Sequence, residues 1–127
     1  MRTGFYYVGK SPAAIRRTWK GEQLFIKPKP IVSRENIDSI SVFIKPGCRG
    51  PFQGIEMTLD KEGAMKLSGG TRRALRKRIA IVLDNHIVEI GQFQNEISSG
   101  KLTIDLRGLD LSYLLALVRA VQAETGP

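Results

Sequence analysis

The sequence has few of the residues that metal sites and nucleophilic enzymes use. Its 127 residues include one cysteine, Cys48, and one histidine, His86. A single cysteine excludes an intramolecular disulfide and a cysteine-cluster metal site. A single histidine excludes a two-histidine metal motif, and no positioned acid or nucleophile accompanies His86 in the sequence. We therefore expect no enzymatic activity, no cofactor and no metal.

Long apolar runs are also missing. No stretch approaches the roughly 20 apolar residues that a membrane-spanning helix needs, so no transmembrane segment is expected. The first twenty residues lack the continuous apolar stretch of a secretory signal. Taken as a complete chain, the protein is therefore expected to stay in the cytoplasm.

Basic residues are abundant and concentrated near the N-terminus. The chain has 20 Lys and Arg against 12 Asp and Glu, a net charge of +8. Residues 1–34 have a net charge of +7, which leaves residues 35–127 at +1. Such an excess favours anionic partners. The candidate anion-binding residues, for nucleic acid or an acidic membrane surface, are Arg16, Arg17 and Lys20.

A second basic cluster, in the stretch "TRRALRKR", does not indicate an anion-binding site. At 100° per residue, its cations fall on the solvent side of an amphipathic helix. Cations are also favoured in the last turns of a helix by its macrodipole. No aromatic residues are interleaved with them for base stacking. We interpret this cluster as the solvated end of a helix, and nucleic acid as the weaker alternative among the partners.

Alternating apolar and polar residues predict a β-hairpin in the middle of the chain. In "SISVFIK", Ile40, Val42 and Ile44 fall on one side, and "FQGIEMTL" alternates in the same way after a turn rich in Gly and Pro. The hairpin is expected to have one buried face. Phe43 then lies on the other face.

Two helices and further strands complete the prediction. Asp60 and Asp110 are positioned to cap helices over about residues 61–77 and 111–122. Residues 79–84 are apolar on both sides, which predicts a central strand. The other strands are predicted over residues 23–27, 86–91 and 101–106.

These elements predict an α+β fold. We expect a two-layer sandwich, a mostly antiparallel sheet with the two main helices on one face. The other sheet face, or the sheet edges, would be available to a partner. Residues 1–21 are a basic segment of uncertain structure, in which "FYYV" fits a short strand and "SPAAIRRTWK" fits a helical turn or two. Residues 22–127 are expected to form the α+β domain.

Four stretches, taken in order, resemble a known protein family. They are "TLDKEGAMKL", "TRRALRKRIAIVLDNHIV", "NEISSGKLTI" and "LLALVRA". Together they resemble the head subdomain in the large extracytoplasmic domain of SecD, a subunit of the bacterial preprotein translocase. The similarity covers about residues 24–122, and "LDKEGA" with "RIAIVLD" at this separation is its most specific part.

The resemblance implies a non-enzymatic module in the periplasm or cell envelope. It implies contact with an unfolded polypeptide or with a membrane or secretion protein partner. In the family the chain continues after "RA" into a base and membrane helices, whereas "VQAETGP" follows here, so proton-driven transport is not implied. The candidate polypeptide-binding residues are Phe43, Phe93 and Ile97.

Overall fold

The computed structural model describes residues 1–73, 77–92 and 99–124. Within them the chain forms nine strands, two α-helices and a 3-10 turn at Arg34–Asn36. The helices are α1 (Lys61–Arg73) and α2 (Leu111–Ala123). The strands are β1 (Gly4–Tyr7), β2 (Ile15–Trp19), β3 (Glu22–Ile26), β4 (Val32–Ser33), β5 (Ile37–Lys45), β6 (Phe52–Leu59), β7 (Arg78–Leu83), β8 (His86–Gln92) and β9 (Lys101–Asp105).

The strands form separate sheets. In the described parts of the chain, a four-stranded sheet has the order β4-β1-β7-β8, a three-stranded sheet the order β5-β6-β9, and β2 pairs with β3 alone. Adjacent strands in all of them run antiparallel. The α+β class with an antiparallel sheet and two helices is confirmed. The division into separate sheets is a feature that the sequence did not predict.

Strand β7 is central, as predicted, because both of its faces are buried. Ile79, Ile81 and Leu83 belong to the main hydrophobic core. Ala80 and Val82 point the other way, into a second and smaller cluster. The turn after β7 has positive φ at Asp84 and Asn85, the conformation that a tight hairpin turn requires.

Both helices begin where the sequence predicts. The Asp60 carboxylate accepts a hydrogen bond from the Gly63 N–H at 2.6 Å, and the Asp110 carboxylate accepts one from the Ser112 N–H at 2.7 Å. These caps satisfy N–H groups that have no partner inside the helix. α2 then buries an apolar stripe in the main core: Leu114, Leu117, Val118 and Val121.

Helix α1 packs closely because its buried face is small. The Tyr7 hydroxyl donates to the Gly70 carbonyl at 3.1 Å. A Cβ atom at Gly70 would lie 2.5 Å from the Ile31 Cγ2, so a larger residue does not fit there. The buried residues of α1 are Gly63, Leu67, Gly70 and Thr71, of which only Leu67 has a large side chain.

The segment after Ser11 forms a strand, so the prediction of helical turns there is wrong. Strands β2 and β3 make a hairpin in which Ile15 lies opposite Ile26. Its turn, Lys20-Gly21, has φ of 48° and 81°, which a glycine accommodates without strain. The β-forming residues of "IRRTW" outweigh the helix-start signal because they gain burial against the sheet.

This β2–β3 hairpin covers the second face of the four-stranded sheet. Ile26 is fully buried and clusters with Tyr6, Ala80 and Val82, while Trp19 packs at the margin. The expectation that the helices leave this face available is therefore wrong for the four-stranded sheet. The available surface belongs instead to the three-stranded sheet.

Candidate polypeptide-binding surface

The outer face of the three-stranded sheet points away from the main core. Strand β6 directs Ile55 and Met57 into that core and leaves Glu56 exposed on the outer side. The strand registers place Phe43 and Phe52 on the same outer side, next to the loop between β5 and β6. We call Phe43, Lys45, Phe52 and Arg107 the aromatic patch.

Gly54 makes room for the ring of Phe43. The two residues lie opposite each other in the register of β5 and β6. A Cβ atom at position 54 would lie 2.7 Å from Phe43 Cζ and would also overlap the carbonyl oxygen of Ile104. The Phe43 ring meets the Phe52 ring edge to face, with 6.1 Å between the centroids, a favourable aromatic geometry.

Two cations flank these rings. The Lys45 ammonium lies 4.7 Å from the centroid of Phe43, and the Arg107 guanidinium lies 4.5 Å from that of Phe52. Each contact is worth about 0.5–1 kcal/mol at an exposed site. Each cation is also paired with a carboxylate, Lys45 with Glu56 and Arg107 with Asp105. The patch therefore combines apolar rings with paired charges, and both rings stay only partly buried.

Asp105 holds Arg107 against the ring. The Arg107 Nε donates to Asp105 Oδ2 at 2.9 Å, and the Arg107 backbone N–H donates to Oδ1 at 3.0 Å. The side-chain hydrogen bond lowers the pKa of Asp105 and raises the pKa of Arg107. Both side chains are exposed to solvent, so this pair orients the guanidinium and contributes little to stability.

An open groove borders the patch on the loop side. Its volume is 710 Å³, and it is lined by the loop residues Gly47 to Pro51 together with Phe52 and Arg107. The loop includes Cys48, a free and exposed thiol. The groove is continuous with the aromatic patch, because Phe52 and Arg107 belong to both.

The edge of β5 next to the patch offers main-chain hydrogen-bonding groups. The N–H of Leu106 donates to the carbonyl of Gln53, so Gln53 and Ile55 direct their main chain toward β9. Their partners across the ladder, Ile44 and Val42, therefore direct theirs away from β6. Further along the same edge, the Gln122 side chain of α2 donates to the Ile40 carbonyl at 2.8 Å.

Ile44 departs from the predicted buried face. Ile40 is 4% exposed, but Ile44 is 59% exposed. Its neighbour across the ladder on the inner side is Gln53, whose amide donates to the carbonyl of Leu109. The apolar lining of the inner face thus ends before the strand does, and the end of the hairpin presents Ile44 and Phe43 on its two faces.

A comparison with protein families decides the identity of this fold. A model of the SecDF P1 head subdomain matches residues 11–112, well over half of the chain. The chain belongs to the SecDF P1 head subdomain family. The resemblance found in the sequence is therefore confirmed, and the match begins earlier than the 24–122 expected.

Solved SecDF structures share the fold of this P1 head. One, SecDF described as a membrane component that enhances protein export, has a TM-score of 0.63 and 21% identity over 94% of this chain. Another, SecDF in a super-membrane-facing form, has a TM-score of 0.62 and 22% identity over 93%. The chain spans 61% and 18% of the length of those two chains. No curated protein sequence matches it.

The structure describes one of the three predicted polypeptide-binding residues. Phe43 is part of the aromatic patch, while Phe93 and Ile97 lie outside the described residues. Sequence reasoning missed Phe52 and Arg107. Phe52 has a signal in the sequence, because the alternation of its strand places it on the same face as Phe43. No sequence pattern points to Arg107, because it follows β9 and contacts Phe52 only once β9 has paired with β6.

The predicted anion-binding residues do not share one face. Arg16 lies on the outer side of the β2–β3 hairpin, with its guanidinium 5.8 Å from the centroid of Phe25. Arg17 points to the other side and donates to the Asn85 carbonyl at 2.8 Å. Lys20 lies in the turn, 5.2 Å from the ring of Trp19.

Other chemistry is sparse in the part of the chain that the structure describes. His86 is exposed, its Nδ1 lies 2.6 Å from the Asp84 carbonyl oxygen, and its ring meets Tyr113 edge to face. Residues 1–73, 77–92 and 99–124 contain no group of three or more His, Cys, Asp or Glu side chains arranged to hold a metal. Within those ranges, no helix has the length and apolar character to cross a bilayer.

Proposed function

We propose that this chain is a non-enzymatic module of protein export that binds unfolded polypeptide outside the cytoplasm. Membership of the P1 head family supports this, since SecDF is described as a membrane component that enhances protein export. The contact surface that we propose is the aromatic patch together with the Val42–Ile44 edge of β5. A folded partner in the secretion apparatus is the alternative occupant of the same surface.

The observation that carries the proposal is that partly exposed aromatic rings lie beside an open strand edge. An extended segment that adds to β5 would bond to the main chain of Val42 and Ile44, which requires no particular sequence. Its alternate side chains would then contact the rings of Phe43 and Phe52. This combination suits partners whose sequences vary, as unfolded export substrates do.

The open edge can be tested with one proline. Ile44→Pro removes a main-chain N–H that points away from β6, so the β5–β6 pairing is kept, because edge positions tolerate proline. We expect it to weaken binding of a fluorescein-labelled unfolded apolar peptide, measured by fluorescence anisotropy, about tenfold, the effect of one lost hydrogen bond. Ile44→Val keeps the N–H and should bind as the parent does.

The aromatic patch is tested with a matched pair of substitutions. Phe43→Ser should lower peptide affinity, whereas Met65→Ser should not, although Met65 is 67% exposed on α1. Equal losses in both variants would mean that the peptide adheres to any exposed apolar residue. Absence of saturable binding to all unfolded peptides by the parent chain would overturn the proposed function.

A further inference from the structure

The β2–β3 hairpin carries cations that lack acidic partners. The ion pairs within the described residues engage Arg2, Lys45, Lys66, Arg78 and Arg107. The acid of the hairpin itself, Glu22, is held by Arg78 at 2.8 Å. In those same parts of the chain, seven of the eight cations in residues 1–34 form no ion pair. Arg17 and Arg34 donate to main-chain carbonyls instead. The other five are Lys10, Arg16, Lys20, Lys27 and Lys29.

Two of these cations converge on one ring. The Lys10 ammonium lies 5.6 Å from the centroid of Phe25, and the Arg16 guanidinium lies 5.8 Å from it. Phe25 is only partly buried, and both cations are exposed. Like charges gathered on one surface repel each other and raise the local concentration of anions. This arrangement therefore favours an anionic partner.

A groove extends the same surface. It has a volume of 370 Å³ and brings the exposed Lys77 next to Lys10 and Phe25. We call Lys10, Arg16, Phe25 and Lys77 the Phe25 face. It is formed by the hairpin and the chain around it, so it is separate from the aromatic patch on the three-stranded sheet.

We propose that the Phe25 face binds the headgroups of anionic phospholipids. Its cations surround a single ring, and such a cluster matches a plane of many lipid phosphates, into which the ring inserts at the level of the headgroups. Surfaces that hold single-stranded nucleic acid instead stack successive bases on several rings. The contact would place the β2–β3 hairpin against the membrane while β5 stays open to a polypeptide.

Vesicle sedimentation tests this with the full chain. Vesicles of mixed phosphatidylglycerol and phosphatidylcholine should bind the protein at low salt, and vesicles of phosphatidylcholine alone should not. Binding should fall as salt is raised, because exposed charges are screened. Lys10→Gln with Arg16→Gln should weaken partitioning about 25-fold, since each cation near an anionic surface contributes about a fivefold effect.

The matched control removes the same charge elsewhere. Lys61→Gln with Arg72→Gln lowers the net charge equally on the exposed side of α1, and partitioning should stay within about twofold of the parent because these cations lie outside the Phe25 face. Equal losses in both double variants would overturn the proposal, since only total charge would then matter. So would binding to a single-stranded oligonucleotide without binding to the vesicles, or binding to neither. Because the peptide test uses β5, failure of one proposal leaves the other standing.

Discussion

The β2–β3 and β5–β6 hairpins differ in what each leaves on its outer side. Both bury isoleucines on the inner side, Ile26 in one and Ile55 in the other, and each of these is 0% exposed. The outer side of β5–β6 presents two aromatic rings beside an open edge, whereas that of β2–β3 presents cations around Phe25. Burial constrains the inner positions of both hairpins alike, so their functions differ through the outer positions.

The largest effect is expected at the inner positions. Ile26→Ala and Ile55→Ala should each lower the free energy of unfolding by about 2–5 kcal/mol, because each opens a cavity in a packed cluster. Urea denaturation followed by circular dichroism measures this. If Ile26→Ala changed stability by less than about 0.5 kcal/mol, as surface substitutions do, the β2–β3 hairpin would not cover the sheet and the comparison would fail.

Gly54 gives the next largest effect, and it is specific to the β5–β6 hairpin. Gly54→Ala should cost about 1–3 kcal/mol, because the added methyl group meets both Phe43 and the main chain of β9. Adding Phe43→Ala should recover part of that loss, which a double-mutant cycle measures. Gly108→Ala is the control, since nothing lies within 4 Å of the Cβ position there.

Gly21 provides the corresponding test in the β2–β3 turn. Its φ is +81° and nothing lies within 4 Å of a Cβ atom there, so only backbone strain opposes a larger residue. Gly21→Ala should therefore destabilise the protein by about 1 kcal/mol, seen as a lower urea midpoint. A loss as large as that of Gly54→Ala would show that the turn is packed and not merely strained.

The smallest effect concerns the charges of the aromatic patch. The hydrogen bond from Arg107 lowers the pKa of Asp105 in the folded protein. Its contribution to stability is therefore present above the unfolded pKa of about 3.9 and is lost as the pH falls through the lower folded value. Arg107→Gln should raise the Asp105 pKa, which an NMR titration of the carboxyl carbon follows. An unchanged pKa would mean that Arg107 does not hold this carboxylate.

Local signals in the sequence predicted much of the fold. The caps at Asp60 and Asp110, the doubly apolar stretch of β7 and the alternation in β6 each act within a few residues. β2 was missed because its Trp19 packs against a cluster that includes Ala80 and Val82 of β7, a strand far away in the sequence. Packing at such a distance outweighed the helix-start signal of Ser11, and a single sequence does not reveal that outcome.

The candidate site was predictable only in part, for the same reason. Phe43 followed from the alternation in β5 alone. The partnership of Phe43 with Phe52 depends on the register of the hairpin, and the contact of Arg107 depends on where β9 ends. The open edge at Val42 and Ile44 depends on which residue pairs are hydrogen-bonded in the β5–β6 and β6–β9 ladders. These are properties of the assembled sheet.

The central claim is that an extended polypeptide adds to the edge of β5. Hydrogen exchange measured by NMR, with and without a saturating unfolded peptide, tests it most directly. The amides of Val42 and Ile44 should exchange more slowly when the peptide is bound, because their N–H groups then donate to its main chain, while the amides of β2 and β3 should not change. Unchanged exchange at Val42 and Ile44, or slowing in β2 and β3 instead, would contradict the account.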